Sequence, residues 1–190
     1  LIAAVFLPLL LSPLILLTGK RPNLREAVTL VIGAATFLIV LSILPEVMAG
    51  GRPAVELLEV LPGLVLGFRV EPLGMLFGLV ASGLWIVTSL YSIGYMRGHH
   101  ETDQTRYFFF FAVAITAAIG VAFSQNLLTL FIFYEVLTLS TYPLVTHARS
   151  PEAMRGGRIY MGILLSTSVV FLLFAIIWTW SITGTLEFQE

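Results

Sequence analysis

The sequence predicts an all-α integral membrane protein, a bundle of six transmembrane helices that forms a single membrane domain over residues 1–190. The 190 residues are 58% hydrophobic and 11% charged, whereas soluble domains carry about 25% charged residues. A transmembrane helix needs about 20 apolar residues, while a strand of a membrane barrel needs about 10 with alternating polarity. The apolar runs are continuous and much longer than such strands. The predicted spans are residues 1–18, 27–44, 72–96, 107–123, 127–145 and 159–182.

The basic residues predict how these spans are oriented. Eight of the ten lie in the first, third and fifth connections between spans, and the other two lie in the second connection. Because cytoplasmic loops of membrane proteins are enriched in Lys and Arg, the three basic connections are predicted to face the cytoplasm. Both ends of the chain are then expected outside, with the protein in the cell inner (plasma) membrane. The eight residues are Lys20, Arg21, Arg25, Arg97, Arg106, Arg149, Arg155 and Arg158.

Two local patterns predict how the spans are connected and packed. Residues 46–71 form one long outer loop, and its segment 64–70 is rich in residues that favour strands. The loop is therefore expected to hold a short hairpin or an interfacial helix. The third span contains Gly74, Gly78 and Ser82, which lie on one helix face and predict a close approach to a neighbouring helix.

Composition excludes several classes of function. Without cysteine the chain has no disulfide, thiolate metal site or iron–sulfur cluster, and a net charge of -1 provides no basic surface for nucleic acid. His99 and His100 precede Glu101 and Asp103, but adjacent residues of an extended segment point apart, so a solvated loop is favoured over a metal site. We expect no catalytic site of its own, no cofactor, no metal and no nucleic-acid partner.

Glu135 is the one charged residue that the pattern places in the middle of a span. An ionised carboxylate there would cost several kcal/mol, so such a residue points to function. Helical spacing places Thr138, Tyr142 and Thr146 on the same face, a polar stripe that leads to the basic end and is a candidate path for water or protons. Pro143 leaves one carbonyl beside the stripe without its helical donor and is expected to kink the helix. The alternative is a protonated Glu135 that only fixes helix packing.

His147 lies where the polar stripe meets the basic end of the bundle. Histidine changes its charge near neutral pH, so His147 is a candidate for the group through which protons enter the stripe. An ordinary interfacial histidine is the alternative interpretation. The candidate residues for proton transfer are therefore Glu135, Thr138, Tyr142 and His147.

Four strings of residues resemble segments of one known family: FIFYEVLTLSTYPLVTH at 131–147, YSIGYM at 91–96, SQNLLTLFIFYE at 124–135 and TGTLEF at 183–188. The first string resembles the fifth transmembrane helix of the antiporter-like membrane subunits, a family shared by respiratory complex I, Mrp-type cation/proton antiporters and membrane-bound hydrogenases. The other three strings are similar to neighbouring segments of that family. The resemblance covers most of the chain from about residue 68 onward. The sequence of the fifth span is most similar to the D-type subunit of the Mrp antiporters.

The resemblance implies a fold and a role for Glu135. Family members carry about fourteen helices, with two inverted five-helix repeats, so the chain is expected to be an N-terminal fragment of such a fold. Glu135 matches the glutamate that exchanges protons and is modulated by a lysine on the seventh helix. Lys20 is the only lysine here and lies in a loop. Glu71 stands where the family usually has aspartate, a conservative departure.

The function implied by the resemblance is proton translocation by a subunit of a multisubunit cation/proton antiporter, through a buried glutamate. The expected partners are other membrane subunits of the host complex, protons with Na⁺ or K⁺, and the lipid bilayer. One alternative is a proton-pumping membrane subunit of an NADH:quinone oxidoreductase or a membrane-bound hydrogenase. A second alternative is a structural membrane scaffold in which Glu135 is paired and nothing is transported.

Overall fold

Helices account for most of the chain in the computed structural model, which describes residues 1–61 and 63–188. The last two helices continue one another through a π-helical turn at Ser168–Leu173, so that residues 151–183 form one long rod, called here the α6–α7 rod. The helices are α1 Ile2–Leu17, α2 Pro22–Met48, α3 Pro72–Gly98, α4 Gln104–Ala122, α5 Leu127–Val145, α6 Pro151–Thr167 and α7 Phe174–Thr183.

Five of the helical elements are long and apolar enough to cross a membrane: α2, α3, α4, α5 and the α6–α7 rod. The predicted limits of the fifth span, 127–145, are those of α5. Helix α1 has 16 residues and is shorter than the others, so a sixth span remains a prediction. The structure is therefore mostly a bundle of helices that can span a membrane, as the sequence predicts.

Four of the five predicted connections are partly helical, which corrects the predicted limits of the spans. Helix α2 begins at Pro22, so Arg25 belongs to its first turn and not to a loop. Helix α6 begins at Pro151, and Arg155 and Arg158 are therefore helical. Proline is favoured at the first position of a helix because its missing N–H has no helical acceptor there. The polar residues that follow these prolines join the helix, which a prediction from apolar runs alone does not detect.

The long outer loop contains an antiparallel β-hairpin, so the chain is mostly and not entirely helical. Strand β1 is Ala54–Leu61 and strand β2 is Leu64–Arg69, with Ala54 paired to Arg69 and Leu61 to Leu64. The hairpin alternative of the prediction is the one found. Strand β2 also bonds to the connection between α4 and α5, where the amide of Arg69 donates to the carbonyl of Phe123 at 2.8 Å. The hairpin therefore covers the end of the bundle opposite the basic connections.

The hydrophobic core lies among α1, α2, α3 and α4 and beneath the hairpin. The largest side chains that are fully buried there include Trp85, Phe68, Phe108 and Phe123. Small residues on α3 allow this packing: a Cβ added at Gly74 would collide with the carbonyl oxygen of Ala122 on α4. The close approach predicted for the stripe of small residues in the third span is confirmed.

The three basic connections come together at one end of the bundle, called here the basic end. Arg97 at the end of α3 donates through Nε to Glu26 of α2 at 3.0 Å. Asp103, just before α4, forms an ion pair with Arg149, just after α5, at 2.9 Å between Oδ2 and Nη1. The connections rich in basic residues and those with few or none therefore lie at two different ends of the molecule.

Candidate functional site

Helix α5 carries the candidate site and is anchored at the hairpin end. Its N-cap residue is Asn126, whose side-chain oxygen accepts the amide of Thr129 at 2.9 Å, a standard cap for an exposed helical N–H. The Asn126 amide group also donates to the carbonyl of Val65 in β2 at 2.6 Å. The helix continues through Pro143 and ends at Val145. These anchors set the depth at which Glu135 lies between the two ends of the bundle.

Glu135 lies near the midpoint of α5 and is half-buried. Its Oε1 atom is buried and has no hydrogen-bond partner within the described residues. A buried oxygen without a donor is destabilising, and an unmatched polar group of this kind in a native fold calls for an explanation. The carboxyl group is thus located where a proton donor, a water molecule or another polar side chain would satisfy it.

The remaining residues of the predicted stripe face inward to different degrees. Thr138 is buried, Tyr142 is half-buried and Thr146 is buried. Helix α6 packs on the end of the stripe through Gly157, where an added Cβ would collide with Thr146 and lie 3.3 Å from Cε2 of Tyr142. The structure therefore brings Tyr142 and Thr146 into the contact between α5 and α6.

The stripe is not a continuous chain of hydrogen bonds in this structure. The Thr146 hydroxyl donates to the carbonyl of Tyr142 at 2.8 Å, within its own helix. In the described part of the chain, no hydrogen bond joins the side chains of Glu135, Thr138 and Tyr142. Transfer of a proton along this face would therefore require water molecules or rotation of hydroxyl groups between them.

His147 lies at the basic end of α5, as the sequence predicted, and is half-buried. Both of its ring nitrogens are buried without a hydrogen-bond partner among the residues that the structure describes. Its ring packs edge-on against Tyr107 with 5.9 Å between centroids, and its carbonyl accepts Nη2 of Arg106 at 2.9 Å. Tyr107 in turn shares a hydrogen bond of 2.9 Å with Ser92. The ring is held by packing and lies between α4 and the end of α5.

A buried ionic cluster at the basic end was not predicted. Arg25 is 4% exposed and Glu26 is 6% exposed. Arg25 donates to Gln104 at 2.7 Å and to Thr105 at 3.2 Å, and it pairs with Glu26 at 3.3 Å. Arg97 is the second partner of Glu26. The prediction placed Arg25 and Glu26 in the connection before the second span, and the proline at the start of α2 is the signal that they are helical.

Two family models match the chain. The model described as "NADH:quinone oxidoreductase/Mrp antiporter, TM" matches residues 124–190. The model described as "NADH-Ubiquinone oxidoreductase (complex I), chain 5 N-terminus" matches residues 63–108. Together they cover strand β2 with α3, and the segment with α5 and the candidate site.

Curated relatives and solved structures agree with these matches. The Na(+)/H(+) antiporter subunit A1 of Staphylococcus aureus strain bovine RF122 / ET3-1 is 30% identical over 155 residues, which are 79% of this chain and 19% of that protein. The same subunit of strain Newman is 28% identical over the same length. The chain spans about a fifth of the length of the curated relatives it matches.

The fold of the chain is also present in two solved complexes. A chain of the membrane-bound sulfane sulfur reductase, an archaeal respiratory membrane complex, superposes with a TM-score of 0.82 at 20% identity, covering 97% of this chain and 38% of that one. A chain of the Mrp complex from Dietzia sp. DQ12-45-1b superposes with a TM-score of 0.81 at 20% identity, covering 97% and 35%. At this level of identity the superpositions show a common fold.

Proposed function

Because the chain belongs to the antiporter-like membrane subunits that NADH:quinone oxidoreductases and Mrp antiporters share, we propose that it takes part in proton translocation within a multisubunit cation/proton antiporter. Glu135 is the proposed group that accepts and releases the proton. Thr138, Tyr142 and His147 are the proposed groups that lead the proton to Glu135 from the basic end.

One observation carries this proposal: the Oε1 atom of Glu135 is buried at mid-helix and has no partner within the described residues. In a structural scaffold the carboxyl group would be expected to have a fixed hydrogen-bond partner, since unpaired polar atoms in a membrane are unfavourable. A group that exchanges protons must instead contact different hydrogen-bond partners at different steps of the transport cycle. The unmatched oxygen of Glu135 therefore supports a role in proton exchange.

The chemistry of the proposed path is proton exchange between oxygen and nitrogen atoms. The hydroxyl groups of Thr138 and Tyr142 can each donate and accept a hydrogen bond, so they can pass a proton through intervening water. His147 can bind a proton at the basic end because both of its ring nitrogens lack a hydrogen-bond partner within the described residues. The carboxyl group of Glu135 then takes up the proton as it becomes neutral and releases it as it becomes charged.

The sequence of the fifth span supports a more detailed proposal about the subunit type and the full-length fold. The chain is proposed to be of the D type among the Mrp antiporter subunits and to form the first part of a fold of about fourteen helices, with α1 as the first of six spans. The named relatives are subunit A1. The test is complementation: the full-length protein is expressed in strains that lack either the A or the D subunit of an Mrp antiporter, and the strain whose growth it restores shows the type. Other membrane subunits, and Na⁺ or K⁺, are the proposed partners.

The proposed orientation places the basic end in the cytoplasm and both ends of the chain outside, in the plasma membrane. The chain has no cysteine, so single cysteines can report it directly. A cysteine introduced at Gly98 or Ser150 should react with a membrane-impermeant reagent only from the cytoplasmic side. A cysteine at Gly50, near the hairpin, is the matched control and should react only from outside. The reverse pattern would overturn the orientation.

The role of Glu135 is tested by substitutions in the full-length protein within its complex. Glu135→Gln keeps volume and hydrogen-bonding capacity but cannot titrate, so proton transport should fall by about a hundred-fold, the lower end of what a positioned acid or base contributes. Glu135→Asp should retain part of the activity. Glu152→Gln, at the exposed first turn of α6, is the matched control and should transport normally.

The measurement is proton transport in reconstituted vesicles, normalised to the amount of assembled complex. Transport by the Gln variant at the wild-type rate, with impaired assembly of Glu135→Ala, would establish the scaffold alternative. Proton transport that depends on Na⁺ or K⁺ would indicate an antiporter. Proton transport that depends on an electron donor would indicate a quinone oxidoreductase or a hydrogenase.

A further inference from the structure

Two grooves run along one face of α6, and both border Tyr142 of α5. The first lies between α4, α5 and the start of α6 and encloses about 480 Å³. The second lies between α5 and α6 and encloses about 360 Å³. From α6, Met154 lines the first groove, and Arg158, Met161 and Leu165 line the second. These four residues follow the spacing of one helix face, so the grooves succeed one another from the basic end toward the middle of the rod.

The mouth of these grooves is cationic. Arg106 and Arg149 line the first groove and Arg158 the second, and none of the described lining residues is acidic. Arg106 donates from Nη2 to the carbonyl of His147, while its Nε atom is buried without a partner within the described residues. Arg149 pairs with Asp103 through Nη1, and its side chain remains 56% exposed. Both guanidinium groups therefore keep donors that a further anion could use.

The interior of the grooves is apolar. Phe110 lines the first groove, and Leu139, Met161 and Leu165 line the second. Gly162 belongs to the second groove, and a Cβ added there would have no atom within 4 Å. The pair of grooves thus combines arginine donors at the basic end with apolar side chains that line the second groove between α5 and α6.

The depth of the arginines matches that of lipid headgroups. Arg106 lies in the first turn of α4 and Arg149 follows the end of α5, so both are at the boundary of the apolar spans. Arginine binds phosphate in a forked, two-bond geometry, and basic pockets between transmembrane helices on the cytoplasmic side bind anionic headgroups. We propose that the grooves bind one anionic phospholipid, with its phosphate between Arg106 and Arg149 and an acyl chain along Met161 and Leu165.

The test uses the full-length protein assembled in its complex and reconstituted in nanodiscs. The probe is a phosphatidylglycerol with a photoactivatable diazirine on one acyl chain, and mass spectrometry locates the labelled residues. Labels are expected at Met161 and Leu165. Arg149→Gln should lower this labelling about five-fold, the effect of one basic residue on the binding of an anionic lipid. Gly162→Leu should abolish labelling by filling the second groove, with both arginines retained.

Two substitutions on α6 are matched controls because Arg155 and Gly156 line neither of these two grooves. Arg155→Gln removes an exposed charge, and Gly156→Leu adds the same side chain where a Cβ would also have no neighbour within 4 Å. Both should label like the wild type. Equal competition by unlabelled phosphatidylcholine would overturn the proposal in favour of unspecific lipid contact. Equal competition by inorganic phosphate would indicate a free-anion site, and absence of label in the wild type would show that another protein segment covers the grooves.

Discussion

After α4 the chain divides into a longer N-terminal part, residues 1–122, and a shorter C-terminal part, residues 127–188, called here the N-terminal half and the C-terminal half. Both are strongly apolar, but they are packed very differently. Within the most apolar 18 residues of each helix, 44% of the residues are buried in α4, against 17% in α5 and 11% in the α6–α7 rod. The main core cluster is built almost wholly from the N-terminal half and the hairpin, while Ile176 is the buried residue that α7 contributes, beside Leu64 and Leu186. Apolar side chains can face lipid as well as protein, so hydropathy shows that a helix can cross the membrane but not what it contacts.

Small residues explain much of this difference. Gly74 and Gly78 of α3 lie where an added Cβ would collide with the carbonyl oxygen of Ala122 and with the ring of Phe123. Close approach of backbones gives the N-terminal half its dense packing. On α6, Gly156 has open space around it. The candidate site on α5 therefore lies between a densely packed half and a loosely attached rod.

The largest effect on stability is expected at the ionic cluster of the N-terminal half. Arg25→Met should lower the free energy of unfolding by about 3 kcal/mol, because it leaves the buried Glu26 carboxylate with Arg97 as its remaining ionic partner. The measurement is the unfolding free energy of the full-length protein in nanodiscs, obtained by steric trapping. Arg155→Met, at an exposed position of α6, is the control and should change it by less than about 0.5 kcal/mol. Equal effects of the two variants would contradict the contrast between the halves.

A smaller effect is expected from adding one methyl group at a tight helix contact. Gly74→Ala should cost about 1–3 kcal/mol, because the carbonyl of Ala122 belongs to the backbone of α4 and cannot move aside independently. Gly156→Ala on α6 should be neutral or stabilise by up to about 1 kcal/mol through helix propensity. The same unfolding measurement compares the two variants. A neutral Gly74→Ala would mean that α3 and α4 pack less closely than described.

The smallest effect is expected at the hairpin end, where the rod is attached to the N-terminal half. Glu187 lies 3.6 Å from Arg69 and accepts the Asn126 amide at 3.2 Å, and both ends of the ion pair are about one third exposed. Glu187→Gln should cost less than about 1 kcal/mol, with the loss fading as salt is raised. Hydrogen exchange of the α7 and β2 amides at low and high salt measures this. A large loss that does not depend on salt would show that the attachment is structural and not electrostatic.

How far the sequence predicts the molecule depends on the signal that each region carries. The limits of α5 follow from the sequence because Asn126 caps it and polar residues follow Val145. The limits of α2 and α6 were set too narrowly, because charged residues after Pro22 and Pro151 are helical and lie at the basic end. The hairpin was predicted only as one of two alternatives, since a segment rich in strand-forming residues does not show which other segment it would pair with.

The candidate site was predicted in its residues but not in its surroundings. The spacing of Glu135, Thr138, Tyr142 and Thr146 places them on one face wherever α5 is helical. The spacing does not reveal that Oε1 of Glu135 lacks a partner within the described residues, or that α6 covers the far end of the stripe through Gly157. Those facts depend on contacts between helices that are distant in sequence.

By itself the sequence determined that the protein is a helical membrane bundle, which residues form most of its helices, and which family it belongs to, because apolar length and local motifs are properties of short segments. The tertiary structure decided which of these equally apolar helices form a core, which charges pair at the basic end, and where the arginines Arg106 and Arg149 border a groove. The physical reason is that bilayer insertion depends on the composition of each helix alone, whereas packing and ion pairing depend on the shape and charge of the neighbour that it meets.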